Sequence, residues 1–203
     1  MNVKRTQGEL KRQRTALQQY ERYLPTLQLK KQQVQLEILR QRATLRESID
    51  ALSDMKRSAE SWSGLLVESP EIRTYLVPEA IVTSRRNIAG VDIPVFERAV
   101  FPPAEYDLFV TPFWMDAGVA ALRDMVALQE ATRVVEEGIA VLNRELRVTT
   151  QRVNLFEKVK IPEAKEAIRL IKIYLGDQMT SAVGRSKIAK IRIAESESGE
   201  AEV

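Results

Sequence analysis

The sequence of 203 residues contains no cysteine and no histidine. Without cysteine there is no disulfide, no thiolate metal site and no thiol nucleophile. Without histidine the commonest zinc ligand and the usual general base are missing, and serine-type triads go with them. Aromatic residues make up 6% of the chain, too few for a large aromatic-packed globule. Glycine and proline number eight each, which excludes collagen-like and linker-like sequences. No apolar run approaches the roughly 18 residues of a membrane helix. Met1 to Arg14 is polar and basic, with no apolar stretch behind it, so it does not read as a signal peptide.

Nucleotide motifs are missing as well. Neither G-x-x-x-x-G-K-[ST] nor G-x-G-x-x-G occurs, and Gly90 stands alone in its segment. Ser53 and Lys56 match an S-x-x-K pattern. They fall on a helix whose Met55 belongs to the predicted seam, so the match is read as chance. Glu136 and Glu137 face different sides of a helix and form no acid/base pair. The chain is expected to hold no cofactor and no metal, and to have no active site of its own.

What is present is charge, 29% of residues, with a net +3. It is unevenly placed. Residues 1–60 carry 13 Lys/Arg against 7 Asp/Glu, residues 61–113 carry 4 against 7, and residues 114–203 carry 14 of each. Arg185, Lys187, Lys190 and Arg192 form a basic run without an acid, and residues 195–203 form an acidic tail expected to be unstructured.

The second feature is periodicity. Residues 10 to 55 repeat in heptads, with Leu10, Leu17, Leu24, Lys31, Ile38, Leu45 and Leu52 in one register. Gln13, Tyr20, Leu27, Val34, Gln41, Ser48 and Met55 form the other. This is the narrow seam of a coiled coil rather than the wide face of a globular helix. The frame runs through Pro25 unchanged, which predicts a bend and not a new helix. The second half repeats the pattern through Met125, Leu128, Val135, Ile139, Leu142, Leu146, Val153 and Phe156. After Phe156 the frame slips, and Ile161, Ala164, Ile168, Ile171 and Leu175 continue it in a new phase, with Pro162 at the slip.

The middle, 61–113, holds six of the eight prolines and cannot be one long helix. Residues 81–86 and 91–96 read as strands, joined by a turn at Asn87-Ile88-Ala89-Gly90. Pro94 confines its strand to a sheet edge.

The expected fold is therefore mostly α: a long antiparallel two-helix coiled coil with a small middle domain. The predicted division is an N-terminal helix over 1–60, a middle domain over 61–113 with a hairpin near 81–96, a C-terminal helix over 114–194, and the tail. The hairpin is expected to cap the far end of the helix pair. Antiparallel pairing is expected to bring Lys4, Arg5, Lys11 and Arg12 to one basic tip with Arg185, Lys187 and Lys190. Nucleic acid is disfavoured as the tip's partner, since only Tyr20 lies near to stack on bases. Trp62 and Trp114 mark the two junctions with the middle domain, as core residues or interface anchors.

Three segments carry a resemblance. The first is the N-terminal helix with Glu21-Arg22, then Leu27 to Val34 containing Lys30-Lys31. The second is Ser84 to Glu97, with Gly90-Val91-Asp92-Ile93-Pro94. The third and most specific is Arg152-Val153-Asn154-Leu155-Phe156-Glu157-Lys158-Val159-Lys160-Ile161-Pro162. In order and over nearly the whole chain, these resemble the D subunit of the V/A-type rotary ATPases. The signature residues are Arg152, Val153, Asn154, Glu157, Ile161 and Pro162. Pro25 and the stretch Gly176 to Thr180 depart from the family's pattern.

The resemblance implies a non-catalytic central-stalk rotor that transmits torque between ATP hydrolysis or synthesis and proton or sodium movement. The implied partners are the catalytic and nucleotide-binding subunits of the ATPase ring, the small F subunit, and a funnel-shaped subunit on the membrane rotor ring. The implied location is the inner face of the cell membrane, peripheral and without insertion. The basic tip would then face acidic loops of the ring. Arg85, Arg86, Asn87, Gly90, Val91, Pro94 and Phe96 of the hairpin would meet the funnel or the F subunit. The alternative is a stand-alone cytoplasmic coiled-coil adaptor, which has no reason to carry the segment 152–162.

Overall fold

The computed structural model describes residues 4–67, 70–106 and 111–200. The chain is mostly helical. Helix α1 spans Gln7–Glu60, strands β1 (Ala80–Ile88) and β2 (Val91–Val100) form one antiparallel hairpin, and helix α2 spans Met115–Leu155. A π-helical turn at Phe156–Lys160 leads into α3, Ile161–Glu200. Two short 3-10 helices, Ser63–Val67 and Pro70–Leu76, lie between α1 and β1. The chain divides into two compact units, Met1–Gln28 with Gln151–Val203, and Leu29–Thr150.

In the first unit, Thr6 opens α1. Its Oγ1 accepts from the Glu9 amide at 3.3 Å, the first half of a capping box. Helix α1 then runs through Pro25 without interruption, as its heptad frame predicts. Tyr20 stacks on Phe156 with ring centroids 5.3 Å apart, and Glu21 pairs with Lys165 at 3.2 Å. The Arg5 guanidinium lies 5.5 Å from the Tyr174 ring centroid. These pairs put early α1 against late α3 in the antiparallel sense. Val153, Ala164, Ala167, Ile168 and Ile171 are buried.

The π turn sits where the heptad frame slips. Its i→i+5 bonding accommodates one extra residue, and the Ile161 amide donates to the Phe156 carbonyl. Pro162 follows directly and has no amide hydrogen to give.

The second unit holds two apolar clusters. One joins Val34 and Ile38 of α1, Leu142 of α2, and Val91 and Ile93 of β2. The other joins Ile72 of the second 3-10 helix to Met115 and Val119 at the start of α2, with Trp114 packed against them. Arg123 ties the chain entering and leaving the hairpin. It donates to the Tyr75 carbonyl at 2.9 Å and the Pro102 carbonyl at 2.6 Å, and lies over the Phe101 ring.

The hairpin turn is tighter than the sequence suggests. Only Ala89 (φ 51°) and Gly90 (φ 78°) have positive φ, the signature of a two-residue type I′ turn. Asn87 and Ile88 belong to β1. The Asn87 side chain still serves the turn, accepting from the Gly90 amide at 3.1 Å and donating to Asp92 at 2.6 Å. A register shift opposite Val82 and Thr83 leaves Glu97 as the extra residue of a bulge.

The position of the hairpin corrects the sequence reading. It does not cap the end of the helix pair. It lies along the helices, with Val91 and Ile93 packed on Val34, Ile38 and Leu142. A methyl group placed on Gly138 would touch the Pro94 carbonyl at 3.8 Å. Residue 38 is 22 residues from the end of α1, about 33 Å along a helix. A nine-residue strand is about 30 Å long, so the hairpin folds back over almost that whole distance. The cause is its alternation. Val91 and Ile93 point to one side of β2, with Asp92 between them exposed, and that side is buried only by lying against a helix surface.

The backbone of α3 is helical as far as Glu200. The tail expected over 195–203 begins within this helix, and residues 201–203 lie outside the described residues.

Candidate functional site

Among the described residues, no group of three or more Asp, Glu, His or Cys side chains is placed to hold a metal ion. No helix among them is long and apolar enough to cross a membrane. The features with chemical potential are surfaces, and three stand out.

The first is the end of α3. Cover by α1 stops at Tyr174 and Leu175. From residue 176 to 194 every side chain is exposed, and only Gly184 is partly covered. Met179, Val183, Ile188, Ile191 and Ile193 are all more than half exposed. Met179 and Ile188 are nine residues apart, two and a half turns, and so point to opposite sides of the helix. Its exposed apolar groups are therefore not confined to one face, as they are on a helix laid against a flat surface.

The basic residues expected at one tip are staggered along this element. Lys4 and Lys11 are exposed, Arg5 lies over Tyr174, and Arg12 pairs with Glu9 at 3.3 Å. Arg185, Lys187 and Lys190 lie 11 to 16 residues beyond Tyr174, about 16 to 24 Å further along α3. The reason is where α1 begins: its Thr6 cap fixes that end next to Tyr174 while α3 continues. A hollow at this level is lined by Gln7, Tyr174, Gln178 and Arg185, among others.

The second surface is the hairpin. Of the seven residues singled out there, Val91 is 9% exposed and faces this chain's own helices. Arg86 is engaged too, donating to Glu37 of α1 at 2.5 Å. Glu37 is 7% exposed and also accepts from Gln41 at 2.9 Å, with Arg40 at 3.6 Å. Arg85, Asn87 and Gly90 are exposed, while Pro94 and Phe96 are half-buried. This ion pair was not visible from sequence, because 49 residues separate its members. Arg86→Ala leaves a mostly buried carboxylate with weaker partners. The expected cost is about 1–2 kcal/mol, below the range for fully buried pairs because Arg86 is half exposed. Thermal melting of Arg86→Ala against Arg85→Ala, whose side chain is exposed, checks this; equal melting temperatures would refute it.

The third is the junction of α1 and α2. Trp62, Leu65, Trp114, Ala117, Gly118 and Ala121 line an apolar hollow of about 260 Å³. Trp114 presses on Gly118 so closely that an added Cβ would come within 2.9 Å of its ring. Its indole Nε1 is buried without a hydrogen-bond partner in the protein. Nearby, the Tyr106 hydroxyl donates to Asp116, and this bond raises the Tyr106 pKa.

The signature residues lie in the first unit. Val153 is buried in its seam and Ile161 is half-buried, while Arg152, Asn154, Glu157 and Pro162 are exposed around the π turn.

Comparison with known proteins agrees with this layout. The sequence model of the ATP synthase D-subunit family matches residues 9–191. The V-type ATP synthase D subunit of Borreliella burgdorferi is 40% identical over 188 residues, covering 93% of each chain. Proteins of the same name from Chlamydia abortus and Chlamydia pneumoniae are 34% and 32% identical, over 94% and 95% of this chain and 93% and 94% of theirs. With matches of this length in both directions, and a paired-helix fold bearing a hairpin, the chain belongs to the ATP synthase D-subunit family.

Proposed function

We propose that the chain is the central-stalk rotor of a V/A-type ATPase and carries torque between the ATP-handling ring and the membrane ring. The observation that carries this reading is the uncovered end of α3. Nineteen consecutive residues, 176–194, contain one that is even partly covered, and their apolar side chains point to opposite sides. Such a segment is suited to a socket that surrounds it. The ring of catalytic and nucleotide-binding subunits is the socket proposed.

The basic residues follow from the same arrangement. Lys4, Arg5, Lys11 and Arg12 at the start of the chain, and Arg185, Lys187 and Lys190 on α3, are proposed to face acidic loops lining that socket. Exposed cations attract an acidic collar at any rotational angle, without a single tight geometry. The exposed part of the hairpin, Arg85, Asn87 and Gly90 with the edges of Pro94 and Phe96, is proposed to meet the funnel-shaped subunit or the F subunit. In this reading the chain itself catalyses nothing. It lies on the inner face of the cell membrane only through the complex, and proton or sodium movement is driven through it.

The test is recovery of the tagged chain from its native cell under gentle conditions, with crosslinks mapped from Ile188. Ring subunits crosslinked to Ile188, recovered with a membrane rotor ring, are the expected result. Recovery of the chain alone, or with proteins unrelated to an ATPase, would leave a free-standing coiled-coil adaptor as the better account.

A further inference from the structure

The seam of α3 is doubled. Its buried line runs through Ala164, Ile168 and Ile171 to the half-buried Leu175, with Ile171 fully covered. From Ala167 on, each seam residue follows directly on another apolar one: Ala167 before Ile168, Leu170 before Ile171, Tyr174 before Leu175. Neighbours in sequence stand about 100° apart around a helix, so a single narrow seam has no need of the second line. Ala167 is buried as well, Tyr174 is half-buried, and Leu170 is 38% exposed. A turn of α3 by one residue about its own axis therefore replaces one apolar line by another over this stretch. Nearer the start of α3 the second line is polar, at Lys160 and Glu163, which already pair with each other at 3.7 Å.

The π turn supplies the one residue that such a change needs. The Ile161 amide reaches back five residues to the Phe156 carbonyl, and the Glu157 carbonyl, its acceptor in an α-helix, goes without it. Returning the Ile161 amide to Glu157 closes the turn, advances α3 by about 1.5 Å and rotates it by about 100°. At Ile161 one hydrogen bond is traded for another, and Pro162, next in line, has no amide hydrogen to disengage. The near side of the turn is held, because Phe156 stacks on Tyr20 at 5.3 Å. The ties on the far side are looser. Lys165 and Glu21 pair at 3.2 Å with side chains 60% and 50% exposed, and exposed pairs hold little. All these residues lie in the first unit.

We infer that α3 has two rotational settings on α1, exchanged by opening and closing the turn at Phe156–Lys160. With the turn open, Ile161, Ala164, Ile168 and Ile171 face α1. With it closed, Lys160, Glu163, Ala167, Leu170 and Tyr174 do, and Ile171 takes the direction that the exposed Lys172 has in the open setting. The ion pair carried into the seam makes the closed setting the minor one. The uncovered end from 176 to 194 turns with the rest of α3, so a partner that grips and twists this end selects between the settings. Both settings belong to this chain's own residues and do not depend on the complex being a rotary one.

The full chain has no cysteine, so single introduced cysteines report on it through their rates of thiol labelling. Ile171→Cys is expected to label about tenfold faster than Leu142→Cys, a fully buried site that the exchange leaves in place. Lys160→Leu with Glu163→Ala makes the second seam apolar throughout, and a further gain of about tenfold at Ile171→Cys is expected. Leu170→Glu carries a charge that only the closed setting buries, and the rate at Ile171→Cys is expected to fall about tenfold. Local unfolding of α3 predicts the reverse order, since the Lys160/Glu163 changes add apolar contact to the folded helix and Leu170→Glu removes some. Ile171→Cys itself trims the core, so Leu170→Cys, at an exposed position, is the second probe. Its labelling is expected to slow about twofold or more when Lys160→Leu and Glu163→Ala are present. Labelling of Ile171→Cys that matches Leu142→Cys in every background, or that quickens with Leu170→Glu, overturns the inference, as does an unchanged rate at Leu170→Cys.

Discussion

Leu142→Ala is expected to be the most damaging single truncation in the chain. Leu142 is fully buried at the point where α1, α2 and the hairpin meet, in contact with Val34, Ile38, Val91 and Ile93. Removing its branched end forfeits the transfer energy of the lost atoms. It also leaves a cavity that three separate elements must close, and a helix pair with a hairpin laid along it cannot collapse at one point without shifting the others. A loss of about 2–5 kcal/mol follows, which for a chain of this size lowers the melting temperature by roughly 4–20 °C. Leu170→Ala, on an exposed position of α3, is the control, with a change of about 0.5 kcal/mol or less. Melting followed by circular dichroism distinguishes the two. Equal shifts would mean that the hairpin contributes no shared core.

The second large effect concerns assembly, not folding. Ending the chain after Gly176 removes a stretch of α3 whose described side chains are almost all uncovered. The remaining fold keeps Val153, Ala164, Ile168 and Ile171, and its melting temperature is expected to move by no more than about 2 °C. If this end occupies the socket of an ATPase ring, recovery of ring subunits with the shortened chain falls more than tenfold, more than about 1.4 kcal/mol of association energy. Replacing Arg185, Lys187 and Lys190 together by Gln separates the two contributions. Its effect is expected to be smaller than that of truncation and to fade at high salt, because exposed charges are screened. A shortened chain that recovers the ring in full, with ATP-driven ion movement intact, would refute the proposed role of this end.

Much of the fold was legible because heptad spacing is a local signal. Thirteen of the fourteen seam positions read along α1 are buried or half-buried; Met55, at 37% exposure, is the exception. Met55 stands close to where α1 gives way to the 3-10 segments. The slip after Phe156 was visible as a change of phase, and the structure resolves it as a π turn. The two strands were legible from their β-branched residues, with β1 read short mainly at the turn, where Asn87 and Ile88 belong to it, and β2 read short at its outer end.

What failed was placement. The apolar face of the hairpin was readable in Val91 and Ile93, but the surface that receives it, Val34, Ile38 and Leu142, is remote in sequence. Nothing local says that a strand pair folds back over a helix instead of standing at its end. How far the basic residues spread along α3 was not legible for a similar reason, because the relative ends of two paired helices depend on register, which the Arg5–Tyr174 contact records and a heptad count does not.

The π turn also determines where this chain tolerates a change in length. Continued without interruption, the heptad frame that ends at Thr149, Val153 and Phe156 would fall next on residues 160, 163, 167 and 170. The seam instead uses Ile161, Ala164, Ile168 and Ile171, each one place later. The extra backbone step in the turn absorbs that single place. Deleting one residue between Glu157 and Val159 therefore removes the irregularity and leaves every later seam residue facing α1. The same deletion near Glu136 would turn all that follows by about 100° and carry Leu142 out of its cluster. Phe156–Lys160 thus has the form of a one-residue insertion that the helix has kept, and a sequence shorter by one residue there preserves the packing of the paired helices on both sides of it.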